Sequence, residues 1–319
     1  MIMPWLYSFL GLVILLLAGD ALVKGAVNLS LRLGVPALIV SLTIVAFGTS
    51  APELLISIKA VLDNASGIAL GNVVGSNTAN ILLVLGVPAL MATMHTSECS
   101  TRKTFNMMIA ASVIFILLAL RGVYDLWAGG VLLVCLAFVL FDAFRDTQKH
   151  RQECKGLAPD EMEEPEGADP DMPGWRIAVF LILGLIGLPL GASLLVDNAS
   201  IIARAYGISD TVTGLTLVAI GTSLPELATT VMAALRRQAD VALGNVIGSN
   251  IFNLLGIIGV ASLVGPIEVD PQFMRFDFWV MLGASLLLIP FVYLRQDITR
   301  VWGIVLCGLY ALYLLVILI

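Results

Sequence analysis

Two carboxylates stand in matching surroundings. Glu53 closes the segment GTSAPE at 48–53 and Glu226 closes GTSLPE at 221–226; behind them lie GNVVGSN at 71–77 and GNVIGSN at 244–250. The copies are offset by 173 residues, and the pairs Ser76/Ser249, Asn80/Asn253 and Gly34/Gly207 keep that offset, so no insertion or deletion separates them over these stretches. Each copy puts an acid, hydroxyls, an amide and the helix breakers Gly and Pro inside a long apolar run. Polar atoms are costly there unless they serve something.

The chemistry these residues could do is the binding of a hard cation. Pro52 has no amide hydrogen and its ring presses on the carbonyl of Gly48, so a helix running through it is expected to open and free backbone oxygens. On a helix, Thr49 and Ser50 precede Glu53 by four and three residues and share its face. Thr222, Ser223, Pro225 and Glu226 repeat the pattern, and freed carbonyls near Ala46 and Ala219 could add further oxygens. Ser76 and Asn80 are spaced by four, as are Ser249 and Asn253, while glycines at 71, 75, 244 and 248 allow close helix approach. Gathered around one axis, the copies offer oxygen alone. Calcium takes about six to eight such ligands, and neither thiolate nor imidazole is needed.

Charge then separates binding from transport. An unpaired carboxylate at membrane depth costs about 2.5–3.5 kcal/mol on insertion scales. One calcium ion cancels both, as could sodium ions or protons. The empty site stays doubly negative and is poor at crossing between inward and outward states, which is a physical reason for exchange. Two plainer readings compete: a structural glutamate held as the neutral acid, and small hydroxyl residues acting as helix glue. Two copies at one fixed offset, each with Glu after a helix-breaking Pro, favour the cation site. An acid and base pair of a hydrolase would need a soluble cleft.

The elements that must position these residues are membrane spans. Hydrophobic residues make up 59% of the 319, charged residues 13%, and mean hydropathy is +0.99, far from a soluble domain. A span needs about 20 apolar residues. Ten runs qualify, at roughly 4–30, 36–59, 67–93, 104–120, 124–144, 174–203, 210–235, 240–265, 276–294 and 298–318. Continuous apolar runs mean helices, because barrel strands would alternate. The expected fold is an all-α membrane protein with ten transmembrane helices in two inverted five-helix repeats, 1–144 and 174–319, joined by an acidic cytoplasmic linker at 145–173. Thirteen of the seventeen Lys and Arg then fall on the linker side, leaving Lys59, Arg121, Arg204 and Arg275 opposite. That bias puts both termini outside, and five helices per copy insert the copies in opposite senses, a transporter signature.

Other features read as structural. The first run lacks a basic leader and a cleavage site and is expected to stay as a helix. Within the linker, Asp160, Glu161, Glu163, Glu164, Glu166, Asp169 and Asp171 lack EF-hand spacing and read as a solvated tether. Asp20 and Lys24 form a local ion pair four residues apart on the first helix, and Asp197 occupies the position equivalent to Lys24. His95 and His150 lie outside the spans as solvated side chains. Cys99, Cys135, Cys154 and Cys307 show no metal or redox spacing and read as packing residues or free thiols. No P-loop points to ATP, no basic cluster to nucleic acid, and no cofactor or obligatory protein partner is implied.

The four repeated motifs resemble the two alpha-repeats of the sodium/calcium exchanger branch of the calcium:cation antiporter superfamily, in its compact prokaryotic form. The resemblance covers nearly the whole chain. It implies that helices two, three, seven and eight form the site, past which helices one and six slide to alternate access. It also implies calcium held by Glu53 and Glu226 with Thr49 and Thr222, and sodium by Ser50, Ser76, Ser223, Ser249, Ala46 and Ala219 around the same carboxylates. The chain departs from one pattern at Asn253, where some exchangers carry Asp facing the equivalent of Asn80; here both are Asn. The function implied is secondary antiport of calcium for sodium across the plasma membrane. Calcium for protons is the alternative, which the missing Asp favours, and a passive cation channel is the third reading.

Overall fold

The computed structural model describes residues 2–99, 101–154, 169–206 and 219–318 and is helical almost throughout. In chain order the elements are α1 (Ile2–Leu33), α2 (Ala37–Thr49), α3 (Ala51–Leu62), α4 (Ser66–Met91), α5 (Arg102–Ala119), β1 (Val123–Tyr124), α6 (Leu126–Cys154), α7 (Gly174–Ala205), α8 (Ala219–Thr222), α9 (Leu224–Leu235), α10 (Ala239–Val264), β2 (Ile267–Glu268), α11 (Phe273–Tyr293) and α12 (Arg300–Leu318). Among the described residues eight helices are long and apolar enough to cross a membrane, and the bent pair α2 and α3 makes a ninth span. Of the span expected at 210–235 the structure describes α8 and the shorter apolar helix α9, while 210–218 lie outside the described residues.

Burial sorts the helices into centre and periphery. In α4 and α10 the most apolar stretches are 78% and 83% buried, against 22% in α7 and α12, so the second motif of each copy lies at the heart of the bundle. Glycine sets the spacing around it. A Cβ on Gly248 would stand 2.5 Å from the carbonyl of Leu42, and one on Gly244 2.8 Å from that of Leu38, so α2 lies directly on α10. The hydroxyl of Ser41 seals this contact by donating to Val241 O at 2.6 Å. On the periphery, α12 rests on α4 through Gly303 and Gly86, and α6 rests on α10 through Gly129 and Gly259. Without a hydrophobic force between lipid-immersed helices, such close backbone approach supplies the packing.

α1 and α7 pack along each other, although Val23 and Val27 of α1 also reach the main core. They cross at Gly11 and Gly191, each so close that a Cβ would meet the other helix's backbone within 3 Å. Leu15, Ala18, Leu22, Ala26, Leu188 and Ala192 belong to an apolar cluster separate from the main core, which α2 and Ala228 of α9 also join. Short ladders tie the rest together: Val123 and Tyr124 pair antiparallel with Glu268 and Ile267, and Met94 bridges Ile298.

Several sequence expectations shift. The helix expected to end at 144 runs on to Cys154, so the linker starts later; its acids from Asp160 to Glu166 lie outside the described residues. Asp169 is no free tether residue, since its N–H donates to Asn28 Oδ1 at 2.8 Å. His95 is exposed but paired, with Nδ1 3.0 Å from Asp297 Oδ2; the side chain of His150 lies outside the description. Asp20 and Lys24 do pair, at 3.0 Å, and Asp20 also takes Arg236, the residue that follows α9. Cys99, Cys135 and Cys307 form no disulfide among the described residues.

Candidate cation site

Each glutamate enters from the first turn of a helix that starts at a break. α2 stops at Thr49, Ser50 takes φ −86° and ψ 6°, and α3 starts at Ala51 with its axis turned by 44°. Pro52 therefore lies in the first turn of a new helix, where a missing N–H is no loss, and Glu53 sits near the positive end of that helix. Ser223, at φ −87° and ψ 4°, breaks the second copy in the same way ahead of Pro225 and Glu226. The expected single helical face for Thr49 and Glu53 is corrected by this break, which leaves them on successive helices. The carbonyl of Ala46 is likewise not free: it accepts from Ser50 N at 3.1 Å and lies 3.3 Å from Thr49 Oγ1. Ala219 opens the short turn α8.

Ser50 holds the cap position of α3 yet makes no cap bond; its hydroxyl donates instead to Glu226 Oε1 at 3.1 Å, joining the two copies. Thr49 Oγ1 reaches the second copy as well, 3.3 Å from Asn245 Oδ1. Glu53 lies within electrostatic reach of Glu226. Both glutamates are fully buried, as are Ser249 and Asn253, while Thr49, Ser50, Ser76, Asn80 and Ser223 are nearly so. Thr222 is half-buried and engaged in an interaction of its own.

Sequence reasoning missed four further amides. Asn72 donates to Glu53 O at 3.1 Å and Ser57 Oγ at 3.0 Å; Asn245 donates to Glu226 O at 3.4 Å and Thr230 Oγ1 at 3.2 Å. These bonds clamp α3 to α4 and α9 to α10, behind the carboxylates. At the crossing of α4 and α10, Asn77 Nδ2 donates to Asn250 O at 3.2 Å and Asn250 Nδ2 to Asn77 O at 3.3 Å. The signal was available: both pairs keep the offset of 173 inside the GNVVGSN and GNVIGSN segments.

What remains unbonded defines the site. Among the described residues, the buried side-chain oxygens without a hydrogen-bond partner include Glu53 Oε1 and Oε2, Glu226 Oε2, Asn80 Oδ1, Asn253 Oδ1, Ser223 Oγ and Ser249 Oγ. A buried acceptor lacking a donor carries its full desolvation cost. Seven such oxygens on the duplicated motifs make an all-oxygen donor set, the kind a hard cation takes.

A protein-family model described as "Sodium/calcium exchanger protein" matches residues 3–144 and 176–319. The chain is 36% identical to the sodium/calcium exchanger MaX1 of Methanosarcina acetivorans, over 98% of this chain and 97% of that protein. It is 37% identical to the inner membrane protein YrbG of Escherichia coli, over 87% and 85%. A solved structure of the sodium-calcium exchanger NCX_Mj, soaked with 10 mM Na+ and 10 mM Sr2+, superposes with a TM-score of 0.81 at 34% identity, over 98% of this chain and 97% of that one.

Proposed function

The chain belongs to the sodium/calcium exchanger family, transporters rather than enzymes, and we propose that it exchanges calcium for sodium across the plasma membrane by alternating access. The observation that carries this reading is the set of unpartnered oxygens around Glu53 and Glu226. Calcium is held between these two carboxylates with a hydroxyl or backbone oxygen from each of Thr49 and Thr222. Sodium ions share the carboxylates with Ser50, Ser76, Ser223 and Ser249, and the amide oxygens of Asn80 and Asn253 complete the cage. Ala46 contributes less than its place in the motif suggests, because its carbonyl already accepts from Ser50 N and lies close to the Thr49 hydroxyl.

The doubly charged empty site resists passage, so one load leaves as another enters. α1 and α7 are the moving body in this reading. Most of their buried apolar residues lie in a cluster apart from the main core, and they press on both breaks, Leu185 against Gly48 and Val196 against Gly221. The reciprocal bonds of Asn77 and Asn250 at one fixed offset support two halves of five spans each, inserted in opposite senses. The excess of Lys and Arg on the linker side supports outer termini.

The test is uptake of radioactive calcium into proteoliposomes loaded with sodium or with potassium at matched pH, then repeated with a pH gradient alone. Sodium-dependent uptake is expected. Proton exchange is the second reading, favoured by Asn253 where some exchangers carry an acid; uptake driven by the pH gradient alone would replace sodium with protons. Uptake needing neither gradient would make the protein a channel.

A further inference from the structure

A cavity of about 280 Å³ lies between α11 and α12 at the periphery of the bundle. Val280, Gly283 and Leu287 line it from α11, and Leu309, Leu312 and Val316 from α12. Both triplets have the spacing i, i+3, i+7 of a single helix face. Leu82 of α4, itself 3% exposed, lies at the bottom. The walls are joined at one end, where Phe276 stacks on Tyr313 with ring centroids 6.3 Å apart and the Tyr313 hydroxyl donates to Asp277 Oδ1 at 3.3 Å. Among the described lining residues Tyr313 alone carries a polar side-chain atom, and Asp277 already takes it. Glycine opens the gap: a Cβ on Gly283 would meet no atom of the described residues within 4 Å, whereas one on Gly303, on the neighbouring helix, would stand 2.9 Å from Gly86 O.

The surrounding solvent decides what fills such a space. Both walls belong to membrane spans, and the cavity continues onto their lipid-facing surfaces, where Trp279, Leu312 and Val316 are about half exposed. Water finds no free polar partner there. Left empty, the lining forfeits its dispersion contacts. A lipid tail is as apolar as the leucines it would touch, and it is the species at hand. We propose that the groove between α11 and α12 binds one acyl chain of a membrane phospholipid, and that the bound chain braces the π-helical turn Asn80–Val84 through Leu82. Leu82 stands two residues beyond Asn80, whose buried Oδ1 has no hydrogen-bond partner, so contact with the chain bears on where that amide sits. The acyl-chain site rests on the membrane fold alone; the bracing rests on the exchange reading above.

Occupancy is tested by photolabelling the protein in bilayers that contain phosphatidylcholine with a diazirine in mid-chain, and by mapping the adducts with mass spectrometry. An adduct on Leu82 is expected, because a lipid that stays outside the bundle does not pass between α11 and α12 to reach it. Gly283→Phe, whose ring fills the gap, should remove this adduct and leave the one on exposed Trp279. Gly283→Leu serves the same purpose should the larger ring prevent folding. A wild type without label on Leu82, or a label that the filled groove leaves in place, overturns the site.

Bracing is tested by calcium calorimetry on protein stripped of lipid in a fluorinated surfactant, whose chains do not stand in for hydrocarbon, and again after phosphatidylcholine is restored. Lipid is expected to tighten calcium binding to the wild type by about two- to thirtyfold, the usual range of coupling between sites. Gly283→Phe, its groove filled by its own side chain, should bind calcium equally with and without lipid. The same gain in both proteins, or a gain in neither, overturns the bracing. Absence of calcium binding in both proteins under both conditions overturns the exchange reading and the bracing with it, while the label on Leu82 still decides the acyl-chain site.

Discussion

Among the described residues Glu53 is fully buried with no donor to either carboxylate oxygen, whereas Glu226 receives one from Ser50. The cost of that isolation is expected to appear as calcium-dependent stability. At a hundredfold excess over its dissociation constant, calcium should stabilise the wild type by about 2.7 kcal/mol. Glu53→Gln should lose both this gain and exchange, while melting no lower than the wild type without calcium, since it removes a buried charge. Calorimetry with and without calcium, beside uptake, checks this; normal uptake in the variant would remove the carboxylate from the mechanism. The acids, hydroxyls and amides of the duplicated motifs were legible because polar residues inside apolar runs stand out and the fixed offset shows them twice. Asn72, Asn77, Asn245 and Asn250 carried the same signal but bond to protein groups, and spacing alone does not distinguish an amide that positions a ligand from one that is the ligand.

At the scale of helices, the breaks at Ser50 and Ser223 place the glutamates, and π-helical turns place the amides. Asn80 opens one such turn, Asn80–Val84, and Asn253 lies at the start of another, Phe252–Ile257. Wide turns of this kind recur at functional sites. Proline told where a break must fall, but a proline inside a helix and a proline starting one have the same sequence; the dihedrals of Ser50 decide for the second. The π turns gave no sequence signal, because nothing in NILLV departs from an ordinary apolar helix. Most span positions were readable to within a few residues, and the extension of α6 to Cys154 was missed because its last turns are polar. The seam between α2 and α10 has no slack. Gly248→Ala would push a methyl to 2.5 Å from Leu42 O and 2.7 Å from the Ala46 side chain. Overpacking of this sort costs roughly 1–3 kcal/mol, so the variant is expected to melt earlier and exchange slowly, with Gly75→Ala as the comparison at the equivalent position. An unchanged melting temperature for Gly248→Ala would mean that the seam yields.

Across the whole molecule, an ion pair ties α1 to the end of α9. Asp20 of α1 holds Arg236 at the end of α9 while also pairing with Lys24. Ser193 and Asp197, at the equivalent positions on α7, bond to each other instead, at 3.1 Å, and Asp63 stands where Arg236 would be. Of these two equivalent sets of positions, the one at Asp20 and Arg236 carries an ion pair from helix to helix and, among the described residues, the other does not. Asp20→Asn is expected to change the exchange rate by up to about fivefold, the range of a partly exposed ion pair, without changing calcium affinity. The exchange of charges in Asp20→Arg with Arg236→Asp should bring the rate back. Equal rates in wild type and Asp20→Asn would show that the pair does not gate motion. The reciprocal bonds of Asn77 and Asn250 carry one more consequence. Each half presents a surface complementary to its own twin, as in an isologous dimer. A polypeptide half as long, meeting a second copy upside down, would already assemble the crossing, and the fusion of two such genes would have added covalent linkage to an interface that needed none.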